Sequence, residues 1–152
     1  MTALVVACGG FLLAVLWFDL IFDVQTLRHP RTGDLPEPVL ASIAGYYRRV
    51  TTTASPMGYA VAVVMLIALV GVVAQLVRGT EPRWVPLVSL VLGAVPMGLA
   101  LARVVPNAVR LGARTDPVAE QSRLAHAICR DHLVCLVAVA GFLGVQLWAA
   151  TS

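Results

Sequence analysis

Residues Pro56 to Val77 read PMGYAVAVVMLIALVGVVAQLV, twenty-two positions without one charged side chain. A bilayer core about 30 Å thick takes about 20 apolar residues as a helix. Lipid offers no partner for backbone N–H and C=O groups, so an isolated run of this kind closes its own hydrogen bonds as an α-helix. Three further runs of similar length flank it. Thr2 to Phe22 lies before it, interrupted late by Asp19; Trp84 to Ala102 follows, containing Pro86 and Pro96; His132 to Ala150 closes the series. The predicted spans are therefore 2–22, 56–77, 84–102 and 132–150. Composition agrees: of 152 residues, 59% are hydrophobic and 12% charged, against about 45–50% and about 25% in soluble domains. That balance excludes an ordinary cytosolic enzyme, a disordered chain and a nucleic-acid-binding domain. The expected fold is all-α: an integral membrane four-helix bundle in a single membrane domain, 1–152, with short interfacial helices in its cytoplasmic connections.

All eleven cations are arginine. The first connection carries Arg28, Arg31, Arg48 and Arg49, and the third Arg103, Arg110, Arg114, Arg123 and Arg130; the second carries only Arg78 and Arg83. Positive residues stay in the cytoplasm, so both termini are expected outside and both long connections inside, in a multi-pass protein of the cell (inner) membrane. Val5-Val6-Ala7-Cys8 loosely matches a lipoprotein cleavage box, but no basic segment precedes it and the apolar run continues, so the segment reads as a retained helix. Cys8, Cys129 and Cys135 make no CxxC pair and read as small apolar packing residues.

Between the first two spans, Pro30 and Gly33 mark a turn. Leu35 to Val50 then reads as a helix whose Val39, Leu40, Ile43, Tyr46, Tyr47 and Val50 form one apolar face. It would lie in the interface or extend the second span. After the third span, Arg103, Asn107, Arg110 and Arg114 fall on one stripe if the helix persists. Thr115-Asp116-Pro117 should break it, with a new helix from Pro117 flowing into the fourth span.

Asp19 and Asp23 are the least expected residues. Four apart, they share a helix face. A carboxylate at hydrocarbon depth costs several kcal/mol unless protonated, paired or wet, so Asp19 should face the bundle. A structural ion pair of Asp19 with Arg103 or Arg130 competes with a ligand, proton or metal site. The fourth helix opens with His126, Arg130, Asp131 and His132; each imidazole is an acid, base or metal ligand by type, or a packing residue. In the predicted topology Asp19, Asp23, Arg48, Arg103, Asn107, His126, Arg130 and His132 converge at the cytoplasmic end, while the opposite ends read as almost pure hydrocarbon. No HExxH, GxSxG or phosphate loop is present. A haem held between two helices is disfavoured, because only the fourth carries histidines within the membrane. The spacing assigns no metal ligands and names no cofactor.

Several short pieces bear a resemblance. They are His29-Pro30, Tyr46-Tyr47-Arg48 with Ser55-Pro56, Val105-Pro106-Asn107 with Leu111, and Arg123, His126 and Arg130 entering the fourth helix. In outline the chain resembles the anthrone-oxygenase-like family of small four-helix membrane proteins. That resemblance implies, for some members, oxidation of polycyclic aromatic anthrones by oxygen. The leading expectation is a polar pocket at the cytoplasmic end that binds, and as an open question oxidises, a hydrophobic aromatic or quinone-like molecule. Asp19 and His132 would be catalytic, through proton transfer or metal ligation. Arg103 and Arg130 would hold an anionic oxygen and Asn107 orient it, with Asp23, Arg48 and His126 as further binding residues. The expected partner is a hydrophobic small molecule or lipid, with a homo-oligomer or larger membrane complex left open. The alternative is a non-catalytic accessory or scaffold subunit whose polar groups satisfy one another; a third reading is a proton-coupled transporter working as an oligomer.

Overall fold

The computed structural model describes residues 1–80 and 82–151, whose regular structure is helical, with no strand among them. The helices are α1 (Thr2–Asp23), α2 (Glu37–Thr51), α3 (Ser55–Val77), α4 (Trp84–Leu99), α5 (Val105–Ala113) and α6 (Val118–Thr151). A 3₁₀ turn, Val24–Arg28, prolongs α1, and a π turn, Ala100–Val104, joins α4 to α5. Four stretches are long and apolar enough to cross a membrane: Thr2–Arg28, Pro56–Val77, Trp84–Ala113 and Val118–Thr151. The chain is a membrane-spanning helical bundle, as its composition dictates. At 1.5 Å per residue, α6 is about 51 Å long, far more than the hydrocarbon needs. Its first turns therefore project beyond the apolar layer.

Two cores result. In the apolar layer α1 packs on α3 and α6, and α4 on α3 and α6. There Val5, Cys8, Ala68, Val72 and Phe142 bury one another. Gly71 makes this contact: a Cβ there would sit 2.6 Å from Val5 Cγ2. The second core lies at the end where α1 finishes and α6 begins. Leu40 and Ile43 of α2, Leu111 of α5, and Leu124 and Ile128 of α6 are fully buried together. So α2 neither lies loose in the interface nor extends the second span. It turns its predicted apolar face inward and caps the bundle against α5 and α6. The backbones of α2 and α5 touch so closely that a Cβ on Gly112 would meet the Arg48 backbone nitrogen at 2.8 Å. The connection after α1 is pinned by the Leu35 N–H, which donates to Ser122 Oγ of α6 (2.9 Å, buried).

Of the polar stripe expected after the third span, Asn107, Arg110 and Arg114 keep their helical spacing along α5 and its C-cap, while Arg103 falls in the π turn. Pro106 has no N–H to close the i−4 bond onto Ala102, and the helix widens into the π turn just before it. The extra residue in that turn rotates Arg103 away from the residues that follow. Arg103 pairs with Asp131, Arg110 with Asp116 and Glu120, and Arg114 with Glu37. Arg114 itself ends α5 in the left-handed conformation, φ 55°. Three stripe members thus serve three elements. Asp116 and Glu120 hold the tight corner into α6, whose last residues run on through Thr151.

Candidate functional site

Two acids one turn apart at the end of α1, two adjacent tyrosines on α2 and one histidine on α6 meet at the junction of the two cores. Asp23 is fully buried. Its Oδ2 lies 2.6 Å from His132 Nδ1, and its Oδ1 accepts the Tyr47 hydroxyl at 2.7 Å. Asp19 Oδ1 accepts the Tyr46 hydroxyl. Its Oδ2 faces His132 Nε2 at 3.9 Å. The imidazole thus sits between two carboxylates, one at each nitrogen, and is 5% exposed. Tyr46 stacks on Phe22, ring centroids 4.2 Å apart and planes within 10°, closing the cluster from the side. Burial first, then Asp19 for Tyr46 and Asp23 for Tyr47, push both phenols above the ordinary tyrosine range. Both remain O–H donors.

Periodicity places Tyr46 and Tyr47 among apolar contacts and so misses them as polar partners. A phenol reads as a ring until something accepts from its hydroxyl, and only the fold brings Asp19 and Asp23 opposite. Their adjacency was the available signal: neighbouring residues on a helix point about 100° apart, yet both belonged to the buried face.

The arginines have a different acid from the one the sequence suggested. Asp131, 2% exposed, forms an ion pair with Arg103 (Nε to Oδ2, 3.0 Å), and its Oδ1 accepts from Arg130 Nη2 and Nε (3.0 and 3.1 Å). This clamp ties the π turn to α6 and occupies the two side chains expected to hold a ligand oxygen. Asn107 is half-buried and makes no side-chain hydrogen bond among the described residues. Arg48 is exposed and makes no ion pair among the described residues, and its backbone packs on Gly112. His126 is not in the cluster either: it lines a separate groove with Arg130. Of the eight residues expected to converge, the structure joins Asp19, Asp23 and His132 in one cluster and Arg103 with Arg130 in another.

The opposite end is not pure hydrocarbon. Gln75 and Gln146 exchange reciprocal amide hydrogen bonds (3.0 and 3.1 Å), and Gln146 also donates to Ser89 Oγ at 2.9 Å. Gln146 and Ser89 are fully buried. This clamp joins α3, α4 and α6. The cysteines, all buried and unpaired, behave as packing residues.

The buried acids at the junction and the buried glutamines at the far end each meet partners on neighbouring helices. Residues 1–150 match the family model SHR3 chaperone, described as ER membrane protein SH3. The chain belongs to this family. No curated protein and no solved structure matches it. The match corrects the resemblance to the anthrone-oxygenase-like family. The pieces that carried it, such as His29-Pro30 and Val105-Pro106-Asn107, lie at helix ends, where turn formers and polar residues recur in any four-span bundle. With it goes the support for oxidoreductase chemistry. What stands is a multi-pass membrane protein of the SHR3 chaperone family, closer to the accessory alternative than to an oxidising enzyme.

Proposed function

We propose that the chain is a non-catalytic accessory protein that assists other multi-pass membrane proteins, its clients, rather than acting on a small molecule. The observation that carries the reading is the closure of the buried ionic cluster. Asp23 bonds to His132 and Tyr47, Asp19 bonds to Tyr46 and faces His132 at 3.9 Å, and none of these three ionisable groups lines either of the two cavities described, of ≈20 Å³ and ≈540 Å³. A general acid needs hydrogen-bond reach to its substrate; Asp23 has spent both its oxygens on the fold, and Asp19 and His132 have each spent one polar atom there. The family's designation as a chaperone supports the same reading. Residues 1–152 act as one membrane domain. The excess of arginine in the first and third connections favours cytoplasmic connections and both termini on the other side.

The test is deletion of the gene followed by quantification of membrane proteins. The expected result is loss or aggregation of a subset of multi-pass proteins, restored by the wild-type chain, with those proteins crosslinked to it during their synthesis. An unchanged membrane proteome alongside accumulation of an unconverted hydrophobic metabolite would overturn the proposal.

A further inference from the structure

A groove of ≈540 Å³ runs along α6, open to the side, between the 3₁₀ turn after α1 and the middle of α4. Its volume lies within the range, about 300–1,000 Å³, of small-molecule sites. Its two ends differ in kind. One end is lined by Arg31, His126 and Arg130, the other by Leu92, Val95, Val134 and Val137. From His126 to Ala138 the wall is about 18 Å long, measured along the helix. No acidic residue lines it among the described residues.

The polar end is only partly spent. His126 Nε2 is buried and has no hydrogen-bond partner. Such an atom is costly when left unpaired. Arg31 is exposed and makes no ion pair among the described residues. Arg130 bonds to Asp131 through one side, while its side chain stays 50% exposed. The apolar end is open in the opposite sense: Val137 is 73% exposed and Val134 46%, which suits hydrocarbon and not water. A cationic end at interface depth continuous with an apolar channel is the shape of a basic pocket between membrane helices, which takes anionic headgroups.

We propose that this groove is a binding site for one anionic phospholipid of the surrounding bilayer. The phosphate would lie against Arg31, Arg130 and His126 Nε2, and one acyl chain along Leu92, Val95, Val134 and Val137. Charge complementarity selects the lipid class: three nitrogen-bearing side chains, of which Arg130 alone already meets a carboxylate, fit a phosphodiester and leave a zwitterionic choline headgroup with an unmatched cation. The site is separate from the Asp19–Asp23–His132 cluster, and the proposal does not depend on what the protein assists.

The probe is an equimolar mixture of phosphatidylglycerol and phosphatidylcholine, added to the full chain in mild detergent and read by native mass spectrometry. The expected result is one retained phosphatidylglycerol, saturating before any further lipid binds. Arg31→Gln should lower its preference over phosphatidylcholine about fivefold, the effect of one cation at a membrane surface. His126→Gln, at a half-buried position outside both cores, gives a second and independent reduction. Val137→Trp fills the apolar channel from an exposed position and should abolish retention of the first lipid of either class while leaving the melting temperature unchanged. Equal retention of the two lipids by the wild type, or a preference untouched by Arg31→Gln and Val137→Trp, overturns the proposal. So does a photo-crosslinker at position 137 that captures polypeptide rather than lipid in intact membranes.

Discussion

His132→Leu removes the group between the two carboxylates and leaves the fold's most buried acid half-satisfied. Asp23 has no exposure and two strong contacts, to His132 Nδ1 and to the Tyr47 hydroxyl. The leucine variant leaves Oδ2 facing an apolar side chain. Breaking one partner out of a buried pair costs about 3–5 kcal/mol, because the remaining charge is neither solvated nor compensated. At about 2–4 °C per kcal/mol for a chain of this size, the melting temperature in detergent should fall by about 6–20 °C. Asp23→Asn alone should be costly as well, since it takes the carboxylate from His132. The double variant Asp23→Asn, His132→Leu removes the charge together with its partner and should be more stable than the sum of the singles predicts, with a coupling of about 1–3 kcal/mol. The assay is thermal unfolding of both singles and the double in one detergent. Strictly additive losses would refute the closed cluster. Stable singles that no longer function would refute the accessory reading and return these residues to chemistry.

Gln146→Leu should cost about 1–3 kcal/mol by stranding the Gln75 amide, with Gln75→Leu, Gln146→Leu recovering much of it; unfolding curves check both. Gly112→Ala forces α2 off α5 and should lower stability by about 1–3 kcal/mol, read as faster proteolysis in the Pro30–Leu35 connection. Tyr46 and Tyr47 have folded-state pKa values raised above their unfolded values. Their contribution is therefore whole below about pH 10, the unfolded value, and is lost as pH climbs beyond it. Melting temperature should fall over that alkaline range, and less so in Tyr46→Phe, Tyr47→Phe. Reporter fusions near Gly33 and Gly112 should read as cytoplasmic and one near Gly79 as not; the reverse would refute the arginine count.

The spans were legible because hydrophobicity summed over about 20 residues leaves helix as the sole option. The apolar face of α2 was legible too, but not its seat, since periodicity shows which side is buried and not against what. Asp19 and Asp23 stood out by burial cost alone. Their partners did not: the choice of His132 for Asp23, and of Asp131 for Arg103 and Arg130, depends on helix rotation, which the π turn before Pro106 alters by one residue. Gln75 and Gln146 escaped notice for a related reason. A lone amide in an apolar helix has no companion at helical spacing, and its meaning arises only across 71 residues of chain.

α6 enters buried polar contacts at three heights: Ser122 at the cap, Asp131 and His132 at the junction, Gln146 at the far end. A rod pinned at three heights behaves as a lever. It has no hinge of its own, being unbroken from Val118 to Thr151, so a push on the cap is not absorbed locally. A tilt of about 5° about the junction moves Gln146, about 21 Å farther along the rod, by about 2 Å, enough to take its 3.0 and 3.1 Å hydrogen bonds with Gln75 out of range. An event on one side of the membrane is thereby felt mechanically on the other.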